Sequence, residues 1–273
     1  MQKIFNLRHL KNSILFFGAL TLLSACSSPV PAPPGMNKVP KGEFTIGTDK
    51  VDTAAKGLQY GNAREWYANE RPSRKISLDE FHIDTYEVTN ANYKEFVDAT
   101  GHRVAGRWET DTYEEGKGKH PVTNISWDDA VEFCAWKTKR LPTEAEWEKA
   151  ARGTDGREFP WGNEFDKNKA TSMGLQGGTT PVGLYEDGKS PYGAYDMAGN
   201  AWEWTSDWYK QYPGNDFNDE AYGEQRKVVR GGGWGGLGHY TLQINLRTSF
   251  RNAAPPKGGY NDVGFRCAWS AEK

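Results

Sequence analysis

The sequence predicts an α+β domain in which capped helices are followed by a long, irregular and loop-rich β half. Three observations carry that prediction. Two early stretches, GEFTIGT and RKISLDEFHIDTYEVT, alternate with the period of half-buried strands. Three helix starts can be read from capping chemistry at Thr89, Ser126 and Thr143. The composition sets 31 Gly and 14 Pro against 11 Trp, 13 Tyr and 12 Phe, which describes loops pinned by aromatic anchors rather than a helical bundle. A formal net charge of -2, with Lys and Arg scattered instead of striped, argues against a nucleic-acid partner.

At the start of the chain, Lys3, Arg8 and Lys11 precede the apolar run ILFFGALTLL, which is too short to span a bilayer comfortably and reads as a targeting signal. LSAC, residues 23–26, puts small residues around a cleavage position directly before Cys26 and resembles the bacterial lipoprotein signal. A lipid on Cys26 would anchor the chain to a membrane; an ordinary secretory signal with an incidental cysteine is the alternative. Residues 1–25 are thus expected as signal peptide and residues 26–40 as a Pro/Ser-rich tether too extended to build a core. Residues 41–273 are expected as one domain. Ser27, where Asp would resemble an inner-membrane retention signal, points to the outer membrane of a bacterial cell envelope, with the domain facing the periplasm.

Within the domain, residues 50–73 read as loop. Thr89 opens NANYKEFVDATG, with Tyr93, Phe96 and Val97 on one face and Gly101 as the stop. Ser126 opens WDDAVEFCAWKTKR with Asp129 in the capping-box position, and Thr143 opens EAEWEKAARG with Glu146 completing a box and Gly153 ending the helix. Cys134 falls on the inner face of the second helix beside Ala130 and Phe133. In an exported chain Cys134 and Cys267 could form a disulfide or remain two buried thiols. Beyond Gly153, turns of Gly, Pro, Asn and Asp frame aromatic anchors, and loops of that length need a metal, a disulfide or a function to hold them.

In RGGGWGGLGHYTLQINLRTSFRN, residues 230–252, Gly231, Gly233 and Gly236 satisfy G-x-G-x-x-G. A dinucleotide site needs a helix next, whereas Tyr240, Leu242, Ile244 and Leu246 alternate as in a strand, so the glycines are expected to serve close backbone packing. His82, His102, His120 and His239 show no metal-ligand spacing, and no G-x-S-x-G nucleophile motif occurs. YDMAGNAWEW, residues 195–204, offers Asp196 and Glu203 as hard oxygen donors around a glycine-turned backbone, the donor type calcium accepts; an Asx turn and a salt-bridged Glu are the alternatives.

KGEFTIGTD, YEVTNANYKEFV, HPVTNISWDDAVEFCAWKTKRLPTEAEWEKAARG, FPWGNEF, GAYDMAGNAWEWTSDWY, VVRGGGW and VGFRCAW together resemble the formylglycine-generating (sulfatase-modifying factor) family, in family order and over nearly all of the mature chain. That family's fold is a variant of the C-type lectin fold. The resemblance implies a disulfide between Cys134 and Cys267, and a calcium held by the side chains of Asp196 and Glu203 and the carbonyls of Gly199 and Ala201. A second family bridge would fall near Ala151 and Thr248, neither of which is Cys, and a second family calcium finds no suitable ligand in KNKATSMGLQGG.

Formylglycine generators also carry two cysteines after the R-G-G-x-W turn, which bind copper(I) and, with oxygen, oxidise a substrate cysteine. Those positions fall here near Gly238 and Gln243, and neither is Cys. Holding copper(I) requires soft thiolates, so copper is not expected. The histidine-rich iron motif of the ergothioneine-synthesis relatives is also missing from the sequence. The resulting expectation is a non-catalytic envelope lipoprotein that binds a protein, peptide or glycan partner. The alternative is a divergent oxidoreductase or modifying enzyme, as for relatives in pyoverdine maturation, using groove residues Trp234, His239, Tyr240 and Arg251.

Overall fold

Strand β1 (Met36–Val39) pairs antiparallel with β4 (Phe81–Asp84), whose other edge is closed by β9 (Ala268–Trp269) near the chain's end. The computed structural model describes residues 31–59, 64–106, 108–172, 177–235 and 243–271. β1 lies inside the stretch expected as tether, so the folded body starts ahead of residue 41. The reason is physical: the Pro-rich run ends at Pro34, Pro40 only follows the strand, and Val39 is fully buried against Phe81 and Ile83. Four residues are too few for an alternation to register as a strand.

The expected early strands form β2 (Gly42–Ile46) and β3 (Arg74–Leu78), an antiparallel pair of their own. The loop between them contains one helical turn, α1 (Lys56–Gln59), whose Lys56 and Gly57 amides donate to the Asp52 carboxylate at 2.9 and 2.6 Å. All three predicted helices form: α2 (Asn90–Thr100), α3 (Trp127–Trp136) and α4 (Glu144–Arg152). Each starts in a capping box, and Gly101 takes the left-handed conformation that closes α2. α3 stops at Trp136, short of the expected Arg140, and Thr138 beyond it sits at φ 57°.

The second half is built on a four-stranded sheet with order β7-β6-β5-β8, from β5 (Trp202–Trp208), β6 (Lys227–Arg230), β7 (Asn252–Ala254) and β8 (Val263–Gly264). β8 runs parallel to β5; the other pairs are antiparallel. The strand expected through residues 240–246 is not found where it can be described: Gln243–Leu246 form a 3-10 turn. Both edges of β6 are already taken by β5 and β7, and one tight turn buries Ile244 and Leu246 while leaving Gln243 exposed.

The core lies between the helices and this sheet. Tyr93 and Phe96 of α2 meet Phe133 of α3, which packs edge-on to Phe265 at 5.3 Å between centroids. Beside them the Cys134–Cys267 disulfide is fully buried, with 5.7 Å between its Cα atoms. A second cluster sets Trp147, Ala150 and Ala151 of α4 against Val39, Phe81, Ile83 and Met197. Where a further bridge would fall, Ala151 is packed in this cluster and the Thr248 hydroxyl donates to the Arg157 carbonyl at 2.8 Å.

Candidate functional site

The glycine-rich turn after β6 is clamped from below by α4. Glu144 and Glu148 lie one helical turn apart and share Arg230, whose Nη1 and Nη2 donate to them at 2.8 and 2.7 Å. Arg251 closes on Glu144 with Nε and Nη2, both at 2.7 Å, in the bidentate geometry that a planar guanidinium favours. Burial pushes the Glu144 carboxyl up, but Arg251 and Arg230 outweigh it and hold the group below its ordinary value. Above this frame Gly231 and Gly232 sit at φ 94° and 75°. A Cβ on Gly232 would lie 2.8 Å from Leu246 and 3.0 Å from the Asn245 carbonyl, so the turn accepts glycine because backbone passes over backbone.

The turn at residues 196–201 bears on the calcium expectation. Asp196, Gly199 and Asn200 all have positive φ, which curls the chain. Glu203 accepts from Arg266 Nε at 2.6 Å and Trp147 Nε1 at 2.8 Å on Oε2, and from Arg266 Nη2 at 2.7 Å on Oε1. Glu87 accepts from the Asn200 amide side chain at 2.7 Å and the Ala201 amide at 3.0 Å. Asp196 accepts from the Gly183 amide at 2.7 Å on Oδ2.

Three buried carboxylates thus face one guanidinium. Burial first, then Asp196 and Glu203, push Glu87 well above its ordinary value, and burial pushes Asp196 up to about 6. Asp196 and Glu203 are hard oxygen donors of the type a divalent cation accepts, but among the described residues no three His, Cys, Asp or Glu side chains converge as a metal-holding group. A carboxylate accepts at about four lone-pair sites, and three on Glu203 are occupied, so Glu203 can supply one bond to a metal through Oε1.

The same turn carries a groove wall. The Trp234 amide donates to the Asn200 carbonyl at 3.0 Å, and the Asn200 side chain accepts from the Thr180 amide at 2.9 Å. Trp234, Trp108, Tyr113, His120, Asn90 and Asn261 line a cavity of about 460 Å³. Trp108 meets Tyr113 edge-on at 5.7 Å and donates its indole N–H to Asn90 Oδ1 at 3.3 Å. His120 Nδ1 lies 3.0 Å from the Thr179 hydroxyl, and burial with Lys117 nearby lowers the imidazole's basicity. The Trp234 Nε1 has no hydrogen-bond partner among the described residues. Aromatic faces interleaved with amides and carboxylates can hold a ligand by stacking and hydrogen bonding.

Of the sequence-predicted site residues, Trp234 is in this groove. Arg251 is not: it is 1 % exposed, sandwiched against Tyr212 and committed to Glu144, and it belongs to the clamp. Gln243 is exposed on its 3-10 turn. Cys26, Gly238, His239 and Tyr240 lie outside the described residues. His102 sits between Asp129 at 2.9 Å and Glu132 at 3.3 Å, and His82 packs against Trp269. Trp108, Tyr113 and His120 are not marked as site residues by any sequence motif, although RWETDTYEEGKGKH concentrates aromatic and acidic residues between two helices. Glu87 and Arg266 are likewise marked by no local pattern.

A family model described as sulfatase-modifying factor enzyme 1-like domain matches residues 24–271. Formylglycine-generating enzyme from Bos taurus is 30% identical over 298 residues, covering 87% of this chain and 75% of that protein. A protein named inactive C-alpha-formylglycine-generating enzyme 2, from Mus musculus, is 30% identical over 293 residues, covering 87% of this chain and 86% of the relative. Among solved structures, PvdO from Pseudomonas aeruginosa superposes with a TM-score of 0.68 at 26% identity, covering 86% of this chain and 94% of that one.

Proposed function

Because this chain belongs to the sulfatase-modifying factor family and shares its C-type-lectin-like architecture, we propose that it is a non-catalytic binding or accessory protein whose Trp234 groove takes a protein, peptide or glycan partner. The observation that carries this reading is the cysteine inventory. The chain has three cysteines; Cys134 and Cys267 are joined, and Cys26 precedes the domain. No pair of thiolates is left for a copper(I) site. A relative named as inactive, of similar identity and coverage, supports the reading.

In this proposal Cys26 carries a lipid, and the domain works in the bacterial envelope at the outer membrane, facing the periplasm. A calcium is held by Asp196, the Gly199 and Ala201 carbonyls and one oxygen of Glu203, fixing the turn that positions Trp234. Chelation of the purified protein is then expected to lower its unfolding free energy by about 2–3 kcal/mol when the ion had been near a hundredfold above its dissociation constant. Elemental analysis tests the whole reading. Calcium without copper or iron is expected, and copper or iron at one per chain overturns it.

A second reading, a divergent oxidoreductase or modifying enzyme acting in protein or siderophore maturation, is favoured by the His120–Thr179 contact inside the groove and by the likeness to PvdO. There His120 would serve as a base. His120→Gln separates the two: it leaves partner binding within about threefold if the groove only binds, since a neutral polar side chain keeps the contact to Thr179.

A further inference from the structure

A second cavity, of about 380 Å³, shares no lining residue with the Trp234 groove. It is walled by Ile46 and Arg74 from the β2–β3 pair, Glu144 and Ala145 at the start of α4, and the segment from Ser206 to Pro213. We propose that this cavity is a binding site for a single carboxylate group, with Arg74 as its anchor.

Arg74 and Arg251 lie on the Tyr212 ring, at 4.4 and 3.9 Å from its centroid. Arg251 is neutralised by Glu144. Arg74 is not: among the described residues no carboxylate comes within ion-pair distance of it, and its Nη1, although covered, has no acceptor. Arg74 is half-buried and carries its charge without a carboxylate partner, and stacking on Tyr212 holds its planar fork in one orientation. The complement of such a fork is a planar carboxylate receiving two parallel N–H bonds.

The other charges in the cavity narrow the ligand. Glu144 and Asp207 both line it. Asp207 is directed at the helix start, where its Oδ2 accepts from the Glu144 amide at 2.6 Å, and Lys210 is drawn outward to Glu224 at 3.2 Å. Two resident carboxyl groups beside one unpaired cation disfavour a doubly charged phosphate and tolerate a single carboxylate. Trp208 lies on the same wall, and Gln211, whose side-chain N–H groups are given to the Asn215 and Phe217 carbonyls at 3.0 and 2.8 Å, leaves its side-chain oxygen to whatever adjoins it. The carboxylate is that of a small organic acid or of an acidic residue in an extended peptide.

The test is a titration of the mature protein, followed by the Trp208 indole and Gln211 amide signals in 1H–15N spectra. The probes are acetate, an N-acetyl-aspartyl amide peptide, its asparagine counterpart and inorganic phosphate. Saturable shifts with the carboxylates and none with the asparagine peptide are expected. Arg74→Lys, which keeps the charge but loses the fork, should weaken binding about tenfold, and Arg74→Gln should abolish it. Equal affinity for acetate and the aspartyl peptide identifies a free acid as the source; affinity at least about tenfold higher for the peptide identifies an acidic segment. The proposal is overturned by the absence of saturation up to about 50 mM, by equal response to the asparagine peptide, by tighter binding of phosphate, or by unchanged affinity in Arg74→Lys. Should Arg74→Gln not fold, the lysine variant alone decides.

Discussion

The described parts of residues 89–153 and of residues 230–251 meet at the Arg230 clamp and are held by different means. In the first region each helix carries its own start signal: Thr89, Ser126 and Thr143 bind the backbone three residues on and are bound in return. In the second, the chain is held by guanidinium groups whose partners are far away in sequence. Arg230 reaches Glu148 across 82 positions, Arg251 reaches Glu144 across 107, and Arg247 reaches Glu70 across 177. Local caps make a segment legible and tolerant; distant buried pairs make it dependent on the completed fold. Removing one partner of such a pair leaves a charge in the interior without compensation.

The largest expected effect comes from the bond that ties the first region to the strand near the chain's end. Cys134 lies in α3 and Cys267 beside β9, 133 positions apart. A closed loop of that size constrains the unfolded chain strongly, so the double variant Cys134→Ala/Cys267→Ala should lose about 4–5 kcal/mol in denaturant unfolding. A loss under about 1 kcal/mol would mean that the aromatic core alone holds these elements together.

Next in size, Glu144→Gln should cost about 3–5 kcal/mol, because Arg251 loses its partner and Arg230 keeps only Glu148. Thermal and urea unfolding would measure it. The contrast between the regions breaks if this variant costs no more than a helix cap.

Acid should act on the same pairs. Burial raises Glu70 and Glu144, but Arg247 on one and Arg251 with Arg230 on the other outweigh it, so both are held below the ordinary value of 4.5. A depressed carboxylate contributes stability above its unfolded value, and that stability is lost as pH falls through the folded value. The melting temperature should therefore start to drop below about pH 4.5, with a shallower slope in Glu70→Gln, which has one such group fewer. A slope unchanged in that variant would remove the Arg247 pair from the account.

The smallest effect is expected at Thr143→Ala, about 1 kcal/mol, from loss of the hydroxyl that accepts the Glu146 amide. Its size sets the scale against which the buried pairs are judged.

This division also explains what could be read from the chain beforehand. The helices, the early strands and the buried position of Cys134 follow from neighbours within a few residues, and the structure keeps them. β1 escaped notice because Met36–Val39 is defined by its partner β4 rather than by its own pattern. The alternation around Ile244 and Leu246 suggested a strand because burial of every second residue fits a tight turn equally well. Arg251 looked like a groove residue because a lone arginine in a motif says nothing about Glu144, 107 positions earlier. In the groove, Trp234 was legible beside its glycines; Trp108 and Tyr113 were not, since their place depends on how the loop between α2 and α3 folds back.

The bond between Cys134 and Cys267 has a further consequence. It closes a covalent ring that contains α4, the sheet β5–β8 and the Gly- and Pro-rich loops between them. A protease that cuts once anywhere inside that ring leaves a nicked molecule, not two fragments, and only a reductant releases the pieces. For a domain with so much loop, the ring converts severance into a local wound.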